Sequence, residues 1–196
     1  MKYVLLVVFL VIGFSGYSQI PLGFKAGINS SEIVMKNVPA GSLDEEYSSV
    51  VSFHIGVFSK LRLSDKFDFI PELQYIRKGY HYKSSYSEGD IHLDYIELPL
   101  LISYKPISLL AIEAGPSVGI KIKESTYIDL FESTDIGVIG GLRFNLTSKW
   151  SVLGHYYYGI TSVNDIYFNP GPNPGPVEKA STYNRNFQFS VAYYLK

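Results

Sequence analysis

Cysteine is absent from the 196 residues, which excludes disulfide frameworks, thiolate metal sites and thiol nucleophiles. Neither sign of charge is in surplus, Lys+Arg being 17 and Asp+Glu 18. No basic stripe therefore exists to neutralise the phosphates of a nucleic acid. Charged residues are scarce altogether, at 18%, against about 25% in an ordinary soluble domain. H-E-x-x-H, the phosphate loop and the calcium loop are missing too, and no motif points to a cofactor. What is plentiful is Tyr 17, Phe 12 and Gly 17, a composition that leans toward β structure.

The first segment is an address. Met1 and Lys2 give a cationic start, residues 3–14 are apolar, and Gly16 and Ser18 are small residues two apart. This is the pattern of a secretory signal peptide over residues 1–18, with cleavage predicted after Ser18. The apolar run is shorter than the roughly 20 residues of a spanning helix. Residues 19–196 are then one domain that works outside the cytoplasm.

After Gln19 the pattern has period two, the mark of strands with unlike faces. Eight stretches show it, beginning at Leu22, Val51, Lys66, Leu93, Leu109, Thr134, Trp150 and Tyr183. One face is apolar and aromatic throughout, as in Ile96, Leu98, Leu100 and Ile102. The other carries glycine, serine, asparagine and charges of both signs, as in Glu113, Gly115, Ser117, Gly119 and Lys121. A closed barrel of about eight strands has room inside only for side chains, so small residues must alternate with large ones there. The polar, glycine-bearing face fits that interior, and the apolar face must then meet lipid. The prediction is an all-β, eight-stranded, antiparallel up-and-down transmembrane β-barrel.

The connections agree. Long links over residues 31–50, 80–92, 122–133 and 162–182 alternate with short ones at residues 62–65, 106–108 and 146–149. Long loops at one end, with tight turns and both termini at the other, describe an outer-membrane barrel with periplasmic termini. Pro71, Pro99 and Pro116 fall inside strands, where a missing N–H disturbs the ladder, and local bulges are expected there. Tyr75, Tyr104, Trp150, Tyr156, Tyr158 and Tyr193 are placed in the interfacial aromatic girdles.

Several stretches together resemble the PorT-like outer-membrane β-barrel proteins of Bacteroidetes, among the OmpA-like, porin-family small barrels. They are Gly23-Phe24-Lys25-Ala26-Gly27-Ile28-Asn29, Pro71-Glu72-Leu73-Gln74-Tyr75 with Lys78-Gly79, Leu93-Asp94-Tyr95-Ile96-Glu97-Leu98-Pro99-Leu100, and Ala114-Gly115-Pro116. The resemblance spans residues 19–196. It implies an eight-stranded barrel in the outer membrane of a Gram-negative bacterium, and it suggests a link to protein secretion.

Candidate site residues follow from the inward register. Glu72, Glu97 and Glu113 lie on successive strands, and three close carboxylates repel unless countered. Arg143 and Lys25 are the natural counter-ions, so Lys25, Glu72, Glu97, Glu113 and Arg143 are expected to form a charge network in the barrel interior. Arg77 and Arg185 fall on the outward register near the long-loop end. They are candidates for contact with lipopolysaccharide phosphates, which suit a guanidinium, or for snorkelling at the interfacial rim. Gly115-Pro116-Ser117-Val118-Gly119 matches G-x-S-x-G but sits in a strand, without the turn into a helix that the motif requires. His81 and His92 flank a tyrosine-rich segment at no recognised ligand spacing. No metal site or catalytic residue is assigned. The expectation is a non-enzymatic structural or interaction protein, partnered by outer-membrane lipids and, through its long loops, by envelope or secretion proteins. A small passive channel and a lipid-modifying enzyme are the alternatives.

Overall fold

The computed structural model describes residues 21–39, 46–125, 131–168 and 178–195. The predicted signal peptide and parts of the links over residues 31–50, 122–133 and 162–182 lie outside the described residues. Among the described residues there are eleven strands: β1 (Leu22–Lys36), β2 (Glu46–Ser48), β3 (Val50–Ser59), β4 (Leu61–Arg62), β5 (Phe67–Lys83), β6 (Glu88–Tyr104), β7 (Leu110–Glu124), β8 (Thr134–Asn145), β9 (Trp150–Gly159), β10 (Asn164–Phe168) and β11 (Glu178–Tyr194). Every pairing in the sheet is antiparallel. β2, β3 and β4 all run against β5, and β9 and β10 both run against β11. Counted as continuous staves they make eight, and β1 pairs with β11 from Gly23↔Tyr194 to Lys36↔Ser181. The sheet thus closes on itself as an up-and-down barrel.

The faces fall as the alternation requires. Lys25, Asn29, His54, Asp68, Glu72, Lys78, Glu97, Glu113, Asp135 and Arg143 are buried, whereas Phe24, Ile28 and Val51 are 52%, 59% and 68% exposed. The exposed apolar residues form a belt. On β5 it runs from Phe67 to Tyr75, on β6 from Ile96 to Tyr104, on β8 from Ile136 to Phe144 and on β9 from Trp150 to Tyr158. Each run has the roughly 9–11 residues that a tilted strand needs to cross a bilayer. Aromatic pairs mark its edges, with Trp150–Tyr193 and Phe67–Tyr104 at the turn end and Phe53–Tyr75 at the loop end.

Inward glycines explain how so narrow a tube holds so many rings. A Cβ on Gly23 would sit 2.3 Å from the Phe58 ring. One on Gly137 would sit 2.5 Å from Tyr157, and one on Gly141 2.5 Å from His155. Each glycine is the floor on which a large side chain from the next strand lies. That is the small-against-large alternation a filled barrel demands.

Two expectations are corrected. The prolines do not cause bulges. At Pro71, Pro99 and Pro116 the register is the same before and after, and pairing lapses for two positions on one side only. Each proline keeps its ladder on the other side, as Pro71↔Leu100, Pro99↔Ser117 and Pro116↔Val138 show. The register shift falls instead at Asp94/Tyr95. The 80–92 link is not a long loop either. β5 and β6 stay paired out to Lys83↔Glu88, leaving only residues 84–87 as a turn. Gly79, at φ 152°, with Ile91 O only 1.9 Å from where a Cβ would stand, carries the chain past the belt into this projecting hairpin.

Candidate functional site

The lumen is packed in layers. Nearest the turn end, Phe58, Ile70, Leu101, Leu153 and Ala192 form an apolar layer. Beside it lies a first charged cluster. Arg143 donates from Nε to Glu113 Oε1 at 2.6 Å and from Nη2 to Glu113 Oε2 at 3.2 Å, a bidentate fork. The same guanidinium lies 3.9 Å from Glu72 and donates to the Tyr194 hydroxyl at 3.0 Å. Glu72 is bonded to Lys25, and His155 Nε2 stands 2.9 Å from Glu113.

A second cluster lies toward the loop end. Lys78 Nζ is 2.9 Å from Glu97 and 3.0 Å from Asp135, with its charge 3.5 Å from the centre of the Tyr157 ring. Tyr157 and Asn184 donate to Asp135 at 2.6 and 2.8 Å, and Gln74 donates to Glu97 at 2.6 Å. Above this cluster Ile76, Leu93, Tyr95, Phe131 and Val163 close into an apolar plug, each at most 7% exposed.

The five residues assigned to the interior thus fall in two groups. Lys25, Glu72, Glu113 and Arg143 come together; Glu97 belongs to Lys78 and Asp135. Lys78, Asp135 and His155 were not among the residues singled out, although their parity in the strand places them inward. Contact between strands several staves apart is what alternation does not carry. A buried carboxylate needs a partner to offset its desolvation, and here each of the four carboxylates of the two clusters has a cation against it.

Between the clusters lies a serine–histidine pair. Ser190 Oγ is 2.7 Å from His54 Nε2, and Asn29 Oδ1 is 3.4 Å from His54 Nδ1. This resembles a nucleophile with its base, but all three side chains are at most 1% exposed, so no substrate-sized group reaches them from solvent or lipid. Ser117, in the G-x-S-x-G match, is buried in β7.

On the outer face, Arg77 forks onto Asp94 at 2.7 and 3.1 Å at the loop-end rim. That contact raises the arginine further, and it lowers the Asp94 carboxyl against the opposing effect of burial. Arg185 lies flat on Tyr158 at 3.6 Å and donates to the carbonyls of Gly159 and Asn184 at 2.9 and 2.8 Å. Only 4% of it is exposed. His81 lies on the projecting hairpin, 2.7 Å from Asp90 and 3.3 Å from Glu88. Among the described residues no three His, Asp or Glu side chains are placed to hold a metal ion.

A closed antiparallel ring with an apolar belt outside and a charged, filled lumen defines a membrane-spanning β-barrel protein. The profile of the outer membrane protein beta-barrel domain family matches residues 15–165, and the chain belongs to that family. It is a small barrel of the outer membrane. In fold it is similar to the outer membrane protein OprG of Pseudomonas aeruginosa, with 12% identity, a TM-score of 0.53, and 92% of this chain and 98% of that one covered. It is likewise similar to Neisserial surface protein A, with 15% identity, a TM-score of 0.52, and 88% and 96% covered. At such identities the likeness concerns fold alone. No curated protein sequence matches the chain.

Proposed function

We propose that this barrel is a non-enzymatic, non-conducting component of the cell envelope that acts as a structural or interaction partner. The observation that carries this reading is the filled lumen. Two ion-paired clusters and an apolar plug stand in series along it, and Lys78, Glu97 and Asp135 are all fully buried. The passive-channel alternative needs a continuous wet path, for which such packing leaves no room. In planar bilayers the refolded protein is expected to give no conductance steps, and regular steps from the unmodified protein would overturn the reading in favour of a channel. The enzymatic alternative has one testable residue pair, His54 and Ser190. A fluorophosphonate probe is expected to leave the folded barrel unlabelled, and labelling that vanishes in Ser190→Ala would sink the non-enzymatic assignment.

Interaction then belongs to the loop end, where β5 and β6 project beyond the belt. The resemblance to PorT-like barrels of Bacteroidetes supports partners in a secretion apparatus, and tight turns grouped with both termini support a periplasmic turn end. Arg77, half-exposed at the rim, suits lipopolysaccharide phosphates; Arg185 can reach them only by leaving its carbonyls. Replacing residues 84–87 by a glycine–serine turn is expected to abolish partner capture while leaving the barrel folded.

A further inference from the structure

Among the described residues the turn end of the lumen is open. Below the apolar layer a bowl of about 670 Å³ lies between the turns, and its wall includes Lys60, Arg62, Asp65, Asp68, Lys105 and Tyr194. Asp68 is fully buried at its side and is held by two lysines at once, Lys105 at 2.9 Å and Lys60 at 3.5 Å. One carboxylate therefore faces two ammonium groups, and both retain some exposure to the bowl, 14% for Lys105 and 26% for Lys60. Arg62 adds a guanidinium and Asp65 a carboxylate. Lys66 and Lys149 on the surrounding turns have no acidic residue beside them in sequence except Asp65. The mouth is thus cationic in a chain whose formal charge is −1.

We propose that this bowl is a binding site for a phosphate-class oxyanion entering from the turn end. Several separate cationic groups around one concavity suit a multi-oxygen anion better than a single carboxylate. The low-dielectric wall beside them, Pro21, Ile107 and Tyr194, strengthens the attraction. Lys60 lies 5.3 Å from the Tyr194 ring centre, and that contact holds its ammonium at the wall. Asp68 keeps the lysines positioned while the bowl is empty and competes with the anion for them. The bowl is a cup and not a channel mouth because the layers above it are filled, so this inference rests on the non-conducting reading.

The test uses the refolded protein in neutral maltoside micelles, with inorganic pyrophosphate as the probe and calorimetry as the readout. Binding is expected, weakening with added sodium chloride. Lys60→Gln and Arg62→Gln should each weaken it about threefold, and Lys83→Gln at the far end should leave it unchanged. Asp68→Asn should act in the opposite direction, tightening binding about threefold or more by freeing both lysines. A general effect of misfolding cannot produce that gain. Retained heat-modifiable migration on gels certifies the fold of every variant. No heat of binding, or heats that ignore Lys60, Arg62 and Asp68, overturns the site. Vesicles of phosphatidylglycerol and phosphatidylcholine distinguish the source: pyrophosphate displaced only by phosphatidylglycerol marks a lipid headgroup, and no displacement marks a free solute. Conductance in the same preparation reports failure of the plugged-lumen reading separately.

Discussion

Arg143→Met is the sharpest perturbation of the lumen. The arginine is fully buried and its fork neutralises Glu113, with Glu72 at 3.9 Å as second partner. Methionine keeps most of the stem volume but leaves Glu113 facing only His155, and Glu72 only Lys25. Two unit charges about 4 Å apart at an effective dielectric of 20 attract by about 4 kcal/mol. Breaking a buried pair from one side costs about 3–5 kcal/mol in measured cases. The lost bond to Tyr194 adds about 1 kcal/mol. A destabilisation of about 4 kcal/mol is therefore expected from equilibrium urea unfolding in lipid vesicles. The double variant Arg143→Met with Glu113→Gln should recover about half of it, because the orphaned charge is gone. An Arg143→Met protein within about 1 kcal/mol of the parent would refute the reasoning. It would mean that water reaches this cluster and screens it.

Other outcomes test the faces. Gly137→Ala places a methyl 2.5 Å from the Tyr157 ring and 2.6 Å from a carbonyl; overpacking of about 1–3 kcal/mol is expected. Gly140→Ala on the belt meets nothing nearer than 4.0 Å and should be neutral, so equal losses in the two would mean the faces are misassigned. Phe189→Arg, in the middle of the outward belt of β11 opposite Gly154, should destabilise by about 2–4 kcal/mol in a bilayer, and Leu146→Arg in a turn hardly at all. Unfolding in matched vesicles compares them. His81 should titrate by NMR above its ordinary value of 6.5, chiefly through its bond to Asp90. Since its folded-state value is raised, the hairpin's share of stability is fully present below the unfolded value. It is lost as pH rises through the raised one. Hairpin amide exchange that slows with rising pH, after correction for intrinsic rates, would contradict this.

Alternation by itself determined the staves, their number and which residues face inward. Period two leaves no freedom once one side chain's face is known, so Glu72, Glu97, Glu113, Lys25 and Arg143 were all placeable in the lumen. Glycine on the polar face made that face the inside, a deduction about volume that the rings lying on Gly23, Gly137 and Gly141 explain. Tertiary structure alone decided which inward charges meet. Strand tilt offsets the levels of neighbouring staves, and this offset separates Glu97 from Glu113 and hands it to Lys78. Tilt and closure also brought Tyr194 and Phe58 beneath Arg143, and set Lys60 and Lys105 on the same Asp68. The prolines show the same limit. A missing N–H was legible, but which neighbour would lose its bond, and that the register would survive, depended on the direction of each amide in the closed sheet. The projecting β5–β6 hairpin was hidden for a further reason. Its tyrosines and histidines alternate, but the surface on which its Tyr80 and Ile91 pack, the plug with Phe131 and Val163, exists only once the sheet has closed.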